Sequence, residues 1–408
     1  MIRKYCKTSS ETADLFVGIR FVEGLPEVVF PHGYHISDED KECRKDIFKL
    51  ISVLQRFTDH IEGNNSNCNK DIVTSLPISS YQYIIQDFLN HGYYTEHEIR
   101  YVSSRRGKIN WKRTIQQETA RIDNGNVVYL DFQVKRNQIN SNNLISKIHK
   151  YCVYICFLRL GWLFFEQDYL PEKPEITFYK KMFLEILIQA LNDTYDDRKR
   201  KLFQSMINII KECDDDINVC NVAVGVNRFD PIWERLIDFV FGEFDKEKYF
   251  PHATWCIVKN GKVERSSALE PDTIMKHLGK IYVLDAKYYQ YGLTERVNDL
   301  PATSSIQKQI TYGKHIVEQF DEVDSNEVFN AFIMPFDCES GERLKFVSVG
   351  KADWENYGND SPNYAYVLGI LLDTKYLITE YVRHNELQIE NLADTIESSL
   401  EDFRKLTE

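Results

Sequence analysis

The chain has 408 residues, of which 43% are hydrophobic and 13% aromatic, a composition too apolar for a disordered protein. Its length predicts two or three domains. The formal net charge of -12 excludes a protein that coats nucleic acid with its whole surface, because each neutralised phosphate needs a nearby Lys or Arg, but it leaves room for one local basic site.

The cysteines and the hydropathy pattern indicate the cellular setting. Nine cysteines form no Cys-x-x-Cys pair, and residues 1–15 carry charges where a signal peptide needs an apolar core. The longest apolar run, residues 151–165, contains Arg159 and is shorter than the roughly 20 residues that span a bilayer. We therefore expect a cytoplasmic protein with reduced thiols and no membrane contact, in which this run is a buried helix. The scattered cysteines disfavour an iron–sulfur cluster.

The N-terminal part predicts two strands followed by two helices. The strands are expected at residues 15–21 and 27–30, separated by a Gly- and Pro-containing turn. Ser37 and the acids up to Asp40 supply an N-cap and a negative first turn for a helix that ends near residue 62. A second helix, at about 79–90, is expected to stop at Gly92.

A basic segment occupies residues 100–150. It has 11 basic and three acidic residues, a net charge of +8 in a chain of net charge -12. One interpretation is a solvated helical face, which charge runs most often form. Interleaved residues such as Tyr101, Asn110 and Trp111 favour instead a polyanion partner, contacted through phosphate hydrogen bonds and stacking. A strand is predicted within it at 127–134.

The rest of the chain predicts a helical stretch and then a mixed domain. Residues 142–211 have helical apolar spacing, and the acidic stretch 212–216 that follows is the best boundary. Beyond it we predict helix 231–243, strands 253–258, 269–275 and 280–288, helix 303–320 and strand 328–334. The fold class is therefore mixed α/β (α+β), with an N-terminal α+β region (1–138), a helical connector (139–228) and a C-terminal domain (229–408) whose small mixed sheet has helices on both sides.

Two acids and a lysine converge in this C-terminal domain. Pro271-Asp272 lies 13 residues before Asp285-Ala286-Lys287, and the apolar run 281–284 leads directly into the second acid. Because side chains alternate along a strand, Asp285 and Lys287 are expected on one face. Metal-dependent phosphodiester hydrolysis needs this set, in which carboxylates hold Mg²⁺, the metal polarises the phosphate and activates water, and a lysine stabilises charge. The alternative is an ion pair at the surface.

An acid-x-Lys triplet alone is weak evidence, because the chain contains four of them. Glu39-Asp-Lys41 begins a predicted helix and Asp197-Arg-Lys199 lies in a charged helical run. Asp373-Thr-Lys375 ends an apolar run but has no Pro-Asp on a preceding strand. Only the triplet at Asp285 has the whole context.

The helices on either side of these strands add candidates. Glu234 lies on the amphipathic helix upstream and is either a further metal-site acid or an ordinary exposed carboxylate. Downstream, Gln309 and Tyr312 are spaced i, i+3 and share a helix face, which we expect to contact the DNA backbone. Gln307 or Gln309 can equally be solvated. His32 and His35 are spaced for a metal pair, but we expect no acid or Cys partner near them and assign them structural roles.

The acid, the acid-x-Lys triplet and the Gln…Tyr helix resemble the PD-(D/E)xK nuclease superfamily. Four further motifs resemble the LlaJI-type restriction endonucleases, relatives of the McrC nuclease subunit; they are Phe30-Pro-His-Gly-Tyr34, Lys45-Asp-Ile-Phe48, Gly107-Lys-Ile-Asn-Trp-Lys-Arg-Thr-Ile115 and Trp233-Glu234. These motifs span almost the entire chain. The nine-residue run from Gly107 is the most specific of them.

The resemblance implies a bacterial restriction subunit that acts against phage as a type II or type IV-like endodeoxyribonuclease, with a PD-(D/E)xK nuclease fold at 229–408. It implies cleavage of double-stranded DNA with Mg²⁺, for which Mn²⁺ substitutes, and dimerisation of nuclease domains. The catalytic set is then Asp272, Asp285 and Lys287, with Glu234 and Gln309 as additions. Asp272, Asp285, Glu234 and the Ala286 carbonyl are the implied metal ligands. Many superfamily members have Glu where this chain has Asp285, so the reach to the metal is one methylene shorter here.

The resemblance also implies a separate AAA+ GTPase of the McrB type. The chain has no Gly-x4-Gly-Lys-Ser/Thr loop, so we expect it to bind no nucleotide. The family leaves open whether the basic segment contacts DNA or the GTPase, and the candidate contacts are Arg105, Arg106, Lys108, Trp111, Lys112, Arg113 and, on the later helix, Tyr312. An alternative function is a non-catalytic regulator that binds and stimulates the GTPase.

Overall fold

The computed structural model describes residues 2–12, 14–22, 24–64, 72–74, 77–140, 143–165, 169–213, 223–259, 261–338, 346–354 and 361–406. Its contacts divide the chain into two compact units. Unit 1 contains Met1–Thr74 and Asn221–Glu408, and unit 2 contains Ser75–Cys220.

Helices and strands are mixed through both units. The helices are α1 (Asp40–Asn64), α2 (Ile78–His91), α3 (Trp111–Gln117), α4 (Leu144–Phe164), α5 (Lys180–Asp193), α6 (Asp197–Glu212), α7 (Asp230–Phe241), α8 (Tyr291–Thr294), α9 (Thr303–Gln319), α10 (Thr374–Thr379) and α11 (Glu386–Leu406). The strands are β1 (Cys6–Thr8), β2 (Val17–Val22), β3 (Leu25–Phe30), β4 (Ile72–Thr74), β5 (Glu96–Ser104), β6 (Lys108–Ile109), β7 (Ala120–Asp123), β8 (Asn126–Tyr129), β9 (Phe132–Asn140), β10 (Ala223–Val226), β11 (His252–Ile257), β12 (Lys262–Ala268), β13 (Thr273–His277), β14 (Lys280–Ala286), β15 (Val328–Phe336), β16 (Phe346–Ala352) and β17 (Val367–Asp373). The predicted mixed α/β class is confirmed.

The first sheet of unit 1 has the order β1-β3-β2-β10-β4. β10 comes from the middle of the chain and pairs antiparallel with β2 and β4. Gly225 of β10 lies opposite Gly18 of β2, and a Cβ on Gly225 would lie 2.3 Å from the carbonyl oxygen of Val17, so this close approach requires glycine. The compact units therefore differ from the three segments expected from sequence, because β10 completes a sheet that begins at the N-terminus.

The second sheet of unit 1 has the order β13-β14-β15-β17-β16. The inner strands β14, β15 and β17 are parallel, and the two edge strands are antiparallel to their neighbours. On one face Ile281 and Val283 of β14 pack with Tyr312 of α9. On the other face the hydroxyl of Tyr282 bonds with Glu397 of α11. Helices thus cover both faces, as predicted.

A two-residue turn, Leu278-Gly279, joins β13 to β14. Both residues have positive φ, 48° and 83°, as a type I′ hairpin turn requires. The strands pair from His277 with Lys280 to Thr273 with Leu284. This turn fixes the register of the hairpin and hence the position of residues just beyond it.

Unit 2 combines packed helices with small sheets. α2 packs against α4 and α6, and α5 packs against α6. α4 contains the apolar run and is largely buried, which confirms the predicted buried helix; its Arg159 bonds with the hydroxyl of Tyr81. Among the described residues no helix is both long and apolar enough to cross a membrane.

Most predicted element positions in unit 1 are confirmed to within a few residues, and the exceptions have physical reasons. α1 begins at Asp40 with Asp40 and Glu42 in its first turn. In unit 2 the predicted strand 127–134 is wrong as one element, because β8 pairs with β7 whereas β9 pairs with β5. The strand predicted at 269–275 begins only at Thr273, because residues 269–272 connect it to β12 and Leu269 bonds with Pro251 instead of joining the sheet.

Candidate active site

Asp285 and Lys287 meet at the end of β14. Asp285 ends an apolar strand and is 7% exposed. The backbone N–H of Lys287 donates to the carbonyl of Ile333 on β15 at 2.9 Å, which continues the ladder and returns the lysine to the face of Asp285. Lys287 Nζ lies 2.7 Å from Asp285 Oδ2. The predicted shared face is confirmed, and the ion pair is largely buried rather than at the surface as the alternative requires.

Asp272 joins this pair from the neighbouring strand. It directly precedes β13, and extending the β13–β14 register by one residue places it opposite Asp285. Its Oδ2 accepts a hydrogen bond from the N–H of Ala286 at 2.9 Å. Burial, followed by the hydrogen bond and the charge of Asp285, raises the pKa of Asp272 to about 8. A cation placed beside the Asp272 carboxyl group would favour its ionised form.

α9 supports the site through two buried side chains. Gln309 is fully buried, and its Nε2 donates to the carbonyl of Val283 at 2.6 Å. Tyr312 is 1% exposed, and its hydroxyl donates to the carbonyl of Glu270 at 3.0 Å. The expectation that Tyr312 contacts DNA is therefore corrected, and a solvated Gln309 is excluded. Both residues hold in place the strands that carry the acids. Of the two glutamines at the start of this helix, Gln307 is the exposed one.

Two lysines lie near the acids although no sequence motif predicts them there. Lys246 donates to the carbonyl of Asp272 at 2.5 Å and to Asp238 Oδ1 at 2.8 Å. Lys308 lies over the ring of Tyr312 at 5.5 Å and within electrostatic reach of both site aspartates. Lys246 is 26 residues from Asp272 in sequence, so only the folded chain reveals this contact.

Glu234 lies on α7 at the edge of a cavity of about 300 Å³ that Lys287 also lines. Its side chain is exposed, as the alternative interpretation held. Partial burial of its carboxyl group, followed by the charge of Asp230, nevertheless raises its pKa, an effect that Lys287 partly offsets. Glu234 is thus an acid at the rim of the site rather than at its centre.

Tyr288 connects the loop after Lys287 to the N-terminal Pro-His-Gly motif. Its hydroxyl accepts a hydrogen bond from the backbone N–H of His32 at 2.9 Å, and the two rings lie 3.8 Å apart. Burial lowers the pKa of His32 to about 4, and its Nε2 lies 3.2 Å from the carbonyl oxygen of Tyr289; a structural role for His32 stays a prediction. For His35, the expectation that no acid lies nearby is wrong, because its Nδ1 lies 3.1 Å from Asp337 Oδ1.

The donor set fits a hard cation held by two carboxylates. Among the described residues no three His, Cys, Asp or Glu side chains converge closely enough to hold a metal ion. Near the acid pair, Oε1 of Gln309 and Oγ1 of Thr273 are buried and have no hydrogen-bond partner among the described residues. Mg²⁺ is commonly held by one or two carboxylates, with water and phosphate completing its shell, so Asp272 and Asp285 suit it.

The other acid-x-Lys triplets have structural positions. Asp373 caps α10 by accepting a hydrogen bond from the N–H of Tyr376 at 3.2 Å, and Lys375 pairs with Asp46 at 2.9 Å. Asp197 is the first residue of α6. The context used to select Asp285 therefore separates it from these triplets.

The basic segment belongs to unit 2 and is built mainly from strands. β5 and β6 both pair with β9, and β7 pairs with β8. Between residues 100 and 140, all of which the structure describes, α3 is the only helix, so the helical-face interpretation is wrong there. Arg113 lies over the ring of Tyr101 at 4.2 Å, and Trp111 packs edge-on against Phe132. The candidate contacts are all exposed: Arg105, Arg106, Lys108, Trp111, Lys112 and Arg113.

A mixed sheet that ends in a buried acid pair and a lysine defines the kind of site, and the comparisons define the family. The family model described as LlaJI restriction endonuclease matches residues 16–355, and the chain belongs to this family. It is 24% identical over 333 residues to the Bacillus subtilis (strain 168) protein named type II restriction enzyme BsuMI component YdjA, over 78% of this chain and 70% of that protein. Among solved structures it is similar to the Thermococcus gammatolerans assembly of McrB AAA+ hexamers with bound McrC, with 13% identity and a TM-score of 0.36 over 94% of this chain and 83% of that chain.

Proposed function

We propose that this chain is the Mg²⁺-dependent nuclease subunit of a restriction system and that it hydrolyses phosphodiester bonds of double-stranded DNA. The observation that carries the proposal is the convergence of Asp272, Asp285 and Lys287 at one end of the second sheet. Membership of a restriction endonuclease family supports this assignment. We interpret the site as that of a PD-(D/E)xK nuclease.

The roles of the residues follow from their contacts. Asp272 and Asp285, with the Ala286 carbonyl, are the proposed metal ligands, and the N–H of Ala286 holds the Asp272 carboxyl in place at 2.9 Å. When bound, Mg²⁺ supplies polarisation of the phosphate and activation of water. Glu234 is proposed as an outer acid that accepts a hydrogen bond from water at the cavity rim, and Gln309 as a positioning residue.

Lys287 is the proposed cation that orients the attacking water and steadies charge on the phosphate. Burial acts to lower its pKa, but the contact with Asp285 outweighs burial and the net pKa is raised. The ammonium group therefore remains charged at neutral pH. A protonated lysine suits charge stabilisation and orientation rather than proton abstraction.

The test compares Asp285→Asn with a matched variant, Asp353→Asn. Asp353 belongs to a second Lys–Asp pair, with Lys351 at 3.2 Å, and plays no part in the proposed site. In plasmid cleavage with Mg²⁺, with and without the GTPase partner, Asp285→Asn is expected to lose activity on the order of 1000-fold, whereas Asp353→Asn cuts normally. EDTA should stop cleavage, and Mg²⁺ or Mn²⁺ should restore it. Retained cutting by Asp285→Asn would refute the assignment.

A partner of the McrB AAA+ type is part of the proposal. The chain has no P-loop of its own, so nucleotide hydrolysis is assigned to the partner. The exposed basic segment of unit 2 favours a second role in which the chain binds and stimulates this GTPase. The two roles are separable, because Asp285→Asn should leave GTPase stimulation intact while it removes DNA cleavage.

A further inference from the structure

β11 and β12 form a two-stranded ribbon with unusual exposure. Among the described strands these two pair only with each other, and nearly all their residues are exposed or half-buried on both faces. Trp255, Val258 and Val263 are 69%, 99% and 68% exposed. An isolated two-stranded ribbon is only marginally stable in water, and exposed apolar side chains gathered on one element indicate a binding surface.

The ribbon carries a net positive charge. Between His252 and Ala268 there are three basic residues, Lys259, Lys262 and Arg265, and one acidic residue, Glu264. Directly opposed residues share a face, so Arg265 lies with Thr254 on one side and Lys262 with Ile257 on the other. Trp255 lies on the same side as Lys262, and Glu264 lies directly opposite Trp255 on that side. Three basic residues against one acid give the ribbon a net charge of +2 in a chain of net charge -12, and this local excess, with the exposed ring of Trp255, is complementary to a polyanion.

The base of the ribbon is fixed next to the acid pair. The N–H of Leu269 donates to the carbonyl of Pro251 at 2.9 Å, which closes the base. The next residue, Glu270, accepts the hydroxyl of Tyr312 at 3.0 Å. Only residues 269–271 separate the end of β12 from Asp272, a backbone path of at most about 14 Å. The base of the ribbon therefore lies close to the proposed scissile phosphate, and the strands extend from there towards Lys262.

We propose that this ribbon contacts duplex DNA beside the cleavage position, an inference that rests on the proposed nuclease function. The major groove, about 12 Å wide, admits a two-stranded β-ribbon. Lys262 and Arg265 then bind phosphates on either side of the ribbon, and Trp255 packs on the sugar and base edges. The ribbon holds the duplex against the acid pair, so its loss weakens cleavage by weakening DNA binding rather than by removing chemistry.

The test is the double charge reversal Lys262→Glu/Arg265→Glu, with Lys45→Glu/Lys405→Glu as the matched control. The control reverses two well-exposed lysines of the same unit, 59% and 70% exposed, far in sequence from the ribbon. Binding to a 30-base-pair duplex is measured at several salt concentrations in the Asp285→Asn background, and plasmid cleavage in the active background with the complete system. The ribbon variant should bind about 10- to 100-fold more weakly, with a salt dependence reduced by about two ions, and should cut more slowly at limiting protein. The control should match the parent protein.

The outcomes separate the two proposals. If Asp285→Asn still cuts, the nuclease assignment itself fails. If Asp285→Asn is inactive but the ribbon variant binds and cuts as the control does, the ribbon proposal fails alone. Loss of GTPase association with unchanged duplex binding also overturns it, since the ribbon would then be a protein-binding surface. Trp255→Ala supplies a milder variant, and its circular dichroism and urea midpoint should match the parent protein.

Discussion

The acid pair of unit 1 and the basic segment of unit 2 place charge in opposite environments. Asp285 is 7% exposed and contacts a lysine and a second carboxyl group, whereas Lys112 and its neighbours in the basic segment are exposed. Buried charges interact strongly and shift each other's pKa, while exposed charges are screened by water and salt. Substitutions in the buried acid pair should therefore have larger effects than substitutions in the exposed basic segment.

The largest expected effect is in the buried site. Lys287→Met removes the cation that compensates Asp285, and we expect cleavage to fall on the order of 1000-fold. The same substitution in the basic segment, Lys112→Met, should change cleavage by less than about 10-fold. Rates of plasmid cleavage with Mg²⁺ measure both. Similar losses in the two variants would break the distinction between chemistry and contact.

Acid sensitivity is expected to differ between the units. In unit 2 burial lowers the pKa of His149 to about 4, against about 6.5 in an unfolded chain. As the pH falls below 6.5 the unfolded chain binds a proton that folded His149 does not, so stability falls by about 2 kcal/mol at pH 5. In unit 1 His32 acts in the same direction. Asp272 has a pKa raised to about 8, so the folded chain binds a proton there before the unfolded chain does. Its titration therefore stabilises the folded state of unit 1 as the pH falls. Unit 2 should therefore be the more acid-labile.

Urea unfolding of the wild type and His149→Gln at pH 7.5 and pH 5 measures this difference. The fall in unfolding free energy between the two pH values should be about 2 kcal/mol smaller in the variant. His32→Gln provides the corresponding measurement for unit 1. An equal fall in wild type and His149→Gln would contradict the assignment of a neutral, buried imidazole in unit 2.

The exposed segment should respond to charge rather than to packing. Lys112→Glu/Arg113→Glu is expected to weaken duplex binding by about 10-fold and to flatten its salt dependence, with no loss of stability. Lys181→Glu/Lys211→Glu reverses two other exposed lysines of unit 2 and serves as its control. If GTPase stimulation is lost while duplex binding is unchanged, the segment is a partner surface and the DNA assignment is withdrawn.

Local patterns predicted the core of the site because the relevant geometry is local. Strand alternation placed Asp285 beside Lys287, and the apolar run before Asp285 located the end of the strand. Helical spacing correctly put Gln309 and Tyr312 on one face, but spacing does not say whether that face meets solvent or a sheet. Both are buried, because α9 packs that face on β14.

Contacts between distant parts of the chain were beyond the sequence pattern. The partner of His35 is Asp337. Lys246 contacts Asp272 although the whole ribbon lies between them in the sequence. β10 joins a sheet made mostly by the first 74 residues, which no composition shift signals. Each of these contacts joins residues that are distant in sequence. Periodicity and turn residues predict local structure and do not identify a distant partner.

The two-residue turn at Leu278-Gly279 constrains how many residues can separate the two aspartates in the sequence. Five residue pairs separate this turn from Asp272 and Asp285, so the acids meet only if the two strands have equal length. Lengthening both strands together at the turn keeps the carboxyl groups opposite each other, whereas one extra residue in a single strand carries one of them to the other face of the sheet. Relatives with an intact acid pair are therefore expected to vary this spacing by even numbers of residues, and an odd change would mark a β-bulge or an inactive descendant.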